Sequence, residues 1–224
     1  MSSSIIQTEN LEKVYGNKVK THALKSVSLN IPEGSFTCIT GPSGHGKSTL
    51  LQLIGGLDKP TSGRVFIDNM DISSLSDNKL SEVRGEKIGF VFQSFNLLEN
   101  LTASENIQTS MMFAKKSQKP ASKRSLELLE MVGLSEKANS KPSELSGGQL
   151  QRVAIARSLA NDPSILLMDE PTGNLDSESE KDVLEHIFNI HKTGKTIIIV
   201  THSSDIAKQA EVIFEIRDGQ LITT

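Results

Sequence analysis

Residues 36–56 read FTCITGPSGHGKSTLLQLIGG. A short apolar run comes first, a glycine-rich turn follows, and apolar residues then recur at helical spacing. Gly41 to Ser48 spell G-P-S-G-H-G-K-S, which satisfies G-x-x-x-x-G-K-[ST] in the strand–turn–helix context that pattern requires. Gly41, Gly44 and Gly46 let the backbone fold around a polyphosphate with its N–H groups inward, and the helix start adds its positive dipole end. Lys47 is then expected at the β- and γ-phosphates, the Ser48 hydroxyl on Mg²⁺ and Thr49 near the α-phosphate. An ordinary glycine turn would explain the bend but not the lysine and hydroxyl that follow it.

The chain has 224 residues, enough for one substantial core carrying an insertion. Lys and Arg number 24 against 27 Asp and Glu, so a formal charge of -3 gives no global reason to expect nucleic acid or anionic membrane as partner. The single cysteine, Cys38, has no intrachain partner, and the first residues do not read as a signal sequence, which together point to a reducing cytosol. No apolar run approaches the roughly 18 to 20 residues that cross a bilayer, so a membrane role requires another polypeptide.

Strand-length apolar runs recur at 35–40, 87–93, 164–170 and 196–202, too short and too uniformly apolar for surface helices. Helical patterns follow most of them: KSTLLQLIGGL, QLQRVAIARSLAND, and SESEKDVLEHIFNIHKTG with a closing glycine suited to a helix end. This is α/β alternation around a mostly parallel sheet. Residues 1–34 and 63–72 depart from it and read as an antiparallel β flank. Residues 101–145 read as wholly helical, broken at Pro120 and Pro142, and form the candidate insertion; Met111 and Met112 are read as its core.

SILLMDE (164–170) places two acids at a strand's carboxyl end, where Asp169 is suited to hold Mg²⁺ through water and Glu170 to orient or deprotonate an attacking water. Further on the evidence becomes far more specific. Leu145 to Gln149 is LSGGQ, within ELSGGQLQRVAIARSLANDP and at a characteristic distance ahead of LLMDEPTGNLD. The chain thereby resembles the ATP-binding cassette ATPases along essentially its whole length. The resemblance implies a head-to-tail homodimer in which each ATP lies between the phosphate loop of one subunit and Ser146, Gly147, Gly148 and Gln149 of the other. It further implies that Tyr15 stacks on adenine, that Gln93 is the loop glutamine reaching Mg²⁺, that Asp176 lies at the dimer interface, and that His202 hydrogen-bonds the γ-phosphate. Ser43 and His45 fall within the nucleotide-contacting loop. In this family the residue at His45 offers its backbone N–H, and the ring is expected to face water or the partner subunit; the sharper expectation puts it close to the triphosphate.

GLDKPTSGRVFIDNMDISSLS, IGFVFQSFNLLENLTASENI and DEPTGNLDSES are similar to the macrolide-exporter, lipoprotein-release and cell-division branch of that family. The implied fold is a P-loop NTPase α/β core over 1–93 and 151–224, with an antiparallel β flank and a helical subdomain at 94–150. The implied activity is MgATP hydrolysis driving dimer closure and opening, coupled to a separate integral membrane permease at the cytoplasmic face for export or for lipoprotein, peptide or drug handling. Two alternatives remain open: a signalling clamp on a non-transporting membrane complex, and a soluble cassette acting on ribosome or DNA. The second is disfavoured by the single cassette and the lack of a basic stripe.

Overall fold

The computed structural model describes residues 3–16, 18–113 and 118–222. Positions 1, 2, 17, 114–117, 223 and 224, over which the flank, helical and core expectations extended, lie outside them. Internal contacts divide the chain into two units, Met1–Ser81 with Thr196–Thr224, and Glu82–Lys195.

The first unit holds the antiparallel flank. β1 (Ser4–Tyr15), β2 (Thr21–Pro32), β4 (Ser62–Ile67) and β5 (Met70–Asp71) form a sheet in the order β2-β1-β4-β5. Val27, Leu29 and Ile31 alternate inward along β2, the period-two pattern of a sheet with one covered face. A second sheet in this unit runs β10 (Gln220–Ile222), β9 (Val212–Arg217), β3 (Phe36–Thr40), β8 (Thr196–Val200). β3 is parallel to both β8 and β9, and its core positions are fully buried, which is why its sequence is apolar without alternation. Cys38 lies in this strand with its thiol beside the Ile206 carbonyl, and burial pushes its pKa up to about 12. α1 (Lys47–Ile54) packs on β1, β2, β4 and β8, burying Leu50, Leu51, Leu53 and Ile54. A short helix, α7 (Ser204–Ala207), lies beside β3.

β9 and β10 are not among the elements anticipated from sequence. They form a hairpin around Asp218 and Gly219, with φ of 52° and 77°. Two positive φ values in a two-residue loop are the type I′ geometry that matches the twist of a hairpin. α2 (Asp77–Lys87) is also an addition; only Leu80 is buried along it, so its sequence has no apolar period to read.

In the second unit, β6 (Ile88–Phe92) and β7 (Ile165–Asp169) are parallel neighbours in register from Ile88↔Ile165 to Phe92↔Asp169. The helices are α3 (Ala103–Phe113), α4 (Gln118–Met131), α5 (Gly147–Ser158) and α6 (Ser177–His191), with 3₁₀ turns at Ser135–Lys137 and Pro142–Glu144. α6 turns Val183, Ile187 and Ile190 inward, and Gly194 takes a positive φ just past its end. Pro120 does not break a helix. It sits in the first turn of α4, where its missing N–H removes no internal bond, and Pro142 opens a 3₁₀ turn for the same reason. Met111 is buried as expected, whereas Met112 is 68% exposed.

Candidate functional site

The phosphate loop of the first unit is shaped by residues that tolerate no side chain. Gly41 has φ +135° and a Cβ there would lie 2.0 Å from the Ile216 carbonyl oxygen; Gly46, at φ +103°, would place one 2.4 Å from the Ala23 oxygen. Gly44 is exposed and also at positive φ. Gly46 is the N-cap of α1, with no side-chain cap and no acid in the first turn, so the helix start keeps its positive potential. Lys47 follows immediately, 4% exposed, and donates from Nζ to the Pro42 carbonyl at 2.9 Å. The His202 Nε2 lies 3.4 Å from that ammonium and 3.2 Å from Ser43 Oγ. An ammonium is only a donor, so this contact selects the tautomer of His202 with an unprotonated Nε2. Sequence placed the phosphate loop and His202 about 155 residues apart, and the fold brings Ser43, Lys47 and His202 together.

Tyr15, at the end of β1, is 39% exposed and so leaves ring surface for a base to stack on. Its hydroxyl donates to Asp58 Oδ2 at 2.8 Å, while Lys13 bonds Asp58 Oδ1 at 2.7 Å and lies 4.8 Å over the ring. Burial raises the phenol pKa, as do the hydrogen bond to Asp58 and its negative charge, against a hydrogen bond from Thr49. For Asp58, burial works upward, but hydrogen bonds from Lys13, Tyr15 and the Lys59 backbone, with the Lys13 charge, hold the carboxyl below its ordinary value. Thr49 therefore meets the tyrosine. Lys13 and Asp58 are members that sequence reasoning missed.

In the second unit Gln93 follows β6 and Glu170 follows β7. Gln93 Nε2 donates to Asn174 Oδ1 at 3.2 Å, and Asn174 Nδ2 donates back to the Gln93 carbonyl at 3.1 Å. Glu170 has φ 46°, a conformation rare for a residue with a side chain, closed by the Gly173 N–H on its carbonyl at 3.1 Å. A Cβ at Gly173 would lie 2.7 Å from Gln93 Nε2 and 3.4 Å from Glu170 Oε2, so this glycine makes room for amide and carboxylate side by side. Buried Gln151 donates to the Pro171 carbonyl at 2.6 Å and pins the same turn. Arg157 donates to the carbonyls of Phe95 and Asn96, both at positive φ, and burial draws its pKa down.

Ser146 caps α5, accepting from the Gln149 N–H at 3.4 Å while Gln149 Oε1 accepts from the Ser146 N–H at 2.9 Å. Gly147 has ordinary room, but a Cβ at Gly148 would lie 2.9 Å from Ser179. Asp176 caps α6, accepting from the backbone N–H and hydroxyl of Ser179, and from the Glu178 N–H; these bonds lower its pKa. Ser48 Oγ in the first unit, and the Gln93 side-chain carbonyl and the Asp169 carboxylate in the second, are each hard oxygen donors of the kind Mg²⁺ accepts. Among the described residues no cluster of three His, Cys, Asp or Glu offers an alternative metal site.

The profile of the ABC transporter family matches residues 24–173. An uncharacterised ABC transporter ATP-binding protein of Thermotoga maritima is 47% identical over 97% of this chain and 93% of its own length. The macrolide export ATP-binding/permease protein MacB of Mannheimia succiniciproducens is 49% identical over 98% of this chain, which spans only 34% of that protein. Among solved structures, the dimeric post-hydrolysis state of the Methanocaldococcus jannaschii cassette MJ0796, bound to ADP and Pi, has a TM-score of 0.90 at 46% identity, covering 97% of each chain.

Proposed function

The chain belongs to the ABC transporter family of ATPases and has its P-loop NTPase fold, and from that premise we propose that it closes as an ATP-bound homodimer and couples that closure to a separate membrane permease. No helix among the described residues is long and apolar enough to cross a membrane; in the proposed assembly the chain docks at the cytoplasmic face of the permease. The helical stretch 94–150 is the subdomain that meets it. The observation that carries this reading is the uncapped, acid-free start of α1, with Lys47 and His202 at the same loop. Backbone N–H groups of Gly41, Gly44, His45 and Gly46, with Ser43, Lys47 and Ser48, would hold the triphosphate, and Tyr15 would stack on adenine.

Ser48 and Gln93, with Asp169 through water, would hold Mg²⁺, which would supply charge compensation on the phosphates. Glu170 then orients water for in-line attack and accepts its proton. His202, in the tautomer that carries its proton on Nε2, would donate to the charge developing on the γ-phosphate, which requires Lys47 to exchange its contact with the ring for one with phosphate. Ser146, Gly147, Gly148 and Gln149, with Asp176, act in trans in the dimer. The likeness to a macrolide export protein supports export as the coupled task.

Glu170→Gln tests this reading because the amide keeps the shape and loses the base. It should bind MgATP as the wild type does, hydrolyse it about 10²- to 10⁴-fold more slowly, and accumulate as dimer in size-exclusion chromatography with MgATP. Turnover near the wild-type rate would remove Glu170 from the mechanism, and a monomer that binds ATP without dimerising would remove the clamp.

A further inference from the structure

We infer that His45 is a positioning residue whose Nδ1 latches the phosphate loop to the β9–β10 turn of its own chain, so that its ring serves the loop's shape and makes no contact with nucleotide. The inference rests on the proposed reading that this loop binds ATP. Two adjacent amides of one turn grip one loop residue. The Asp218 N–H donates to His45 Nδ1 at 2.9 Å, and the Gly219 N–H donates to the His45 carbonyl at 3.1 Å. The turn is itself fixed: the Lys25 N–H donates to the Gly219 carbonyl at 2.7 Å, and a Cβ on Gly219 would meet the Ala23 oxygen at 2.7 Å. β9 also abuts the first loop glycine, since the Ile216 carbonyl leaves no room for a Cβ on Gly41.

The proton inventory decides which contact is the latch. A backbone amide can only donate, so the Nδ1 it addresses carries no proton and the ring is the Nε2–H tautomer. Asp218 Oδ1 also lies near Nδ1, at 3.3 Å, but a carboxylate needs a proton there, and the two contacts exclude one another as hydrogen bonds. The amide bond is the shorter, its proton is fixed, and the competing carboxylate is 73% exposed. The side chain of alanine or serine at position 45 could not reach the Asp218 N–H, although the backbone bond to Gly219 would remain. A glycine-rich loop must be ordered before its N–H groups converge on phosphate, and a latch that orders it beforehand favours binding without touching the ligand.

Isosteres separate the two ring nitrogens, because asparagine places its amide where Nδ1 lies and glutamine reaches toward Nε2. In the full chain, His45→Ala should raise the Kd for MgATP about threefold to tenfold, the worth of one net hydrogen bond, and raise KM by the same factor with kcat nearly unchanged. His45→Asn should restore wild-type affinity, His45→Gln should not, and Asp218→Asn, which keeps the N–H, should bind as wild type. Amide hydrogen exchange without nucleotide should show the Asp218 N–H protected in the wild type and His45→Asn and unprotected in His45→Gln, which decides the matter even if the alanine variant fails to fold. Glutamine rescuing where asparagine does not would place Nε2 on the nucleotide and overturn the latch, as would an alanine variant with wild-type affinity and wild-type Asp218 protection. A wild type that bound no MgATP would instead sink the ATPase reading, leaving exchange at Asp218 to judge the latch alone.

Discussion

α1 and α5 both begin in glycine-bearing turns, and they treat their first N–H groups in opposite ways. α1 starts from Gly46 in a left-handed conformation with no side-chain cap, whereas α5 starts from Ser146 with a reciprocal capping box to Gln149. An uncapped start leaves donors pointing out of the helix, and the loop before it is held open by backbone geometry. The capped start has engaged two of its donors internally, the Gln149 and Ser146 N–H groups. The start of α1 thus presents, in the single chain, the uncapped and acid-free geometry that suits an anion. At the LSGGQ turn the serine side chain and the glutamine side chain are bonded to each other's backbone, so for either side chain to receive a phosphate it must exchange partners.

Alanine at matched glycines would break this contrast most visibly. Gly41→Ala should cost about 3 kcal/mol or more, because a Cβ 2.0 Å from a backbone oxygen cannot be relieved by rotating a side chain. Gly147→Ala, whose Cβ would meet Leu175 Cδ2 at 3.5 Å, should change stability by under about 0.5 kcal/mol. Thermal unfolding of both variants measures the difference, and equal losses would end the comparison. Next in size, Ser146→Ala should cost about 1 kcal/mol by removing the α5 cap, while leaving monomer affinity for MgATP unchanged. Loss of ATP binding by the monomer would show that the turn is not closed on itself.

The smallest effect concerns the neighbour of the phosphate loop. Asp58→Asn should destabilise the chain by about 0.5 kcal/mol at neutral pH, a modest figure because the carboxylate is partly exposed. Asp58 has a lowered pKa, so its contribution is present above the ordinary carboxylate value near about 4 and disappears as pH falls through the depressed one. Melting temperatures of variant and wild type should therefore begin to converge below about pH 4 and meet once the pH is under the depressed value; a gap that persists beyond that would assign the effect to packing.

Sequence patterns revealed these two helix starts unequally. The phosphate loop is contiguous, and its strand and helix carry strong periodicity, so both could be read directly. The capping box was also legible, since Ser146 and Gln149 form S-x-x-Q, although the same residues invite a purely functional reading. The C-terminal hairpin left a local signal as well, Asp218-Gly219 between apolar runs. α2 left none, having one buried residue. The partners that hold site residues in place were not legible at all: Tyr15 and Asp58 are 43 residues apart, Gln93 and Asn174 are 81 apart, and only the fold joins them.

Cys38 gives the chain a practical property. Its thiol is fully buried in β3 and remains protonated far above neutral pH, so the nucleophilic thiolate that reagents attack is essentially missing from the folded protein. It is also the sole cysteine of the chain. A single cysteine introduced on the surface would therefore carry a fluorophore or spin label without removal of the native one, and paired labels on two copies would report in real time whether the proposed closure occurs.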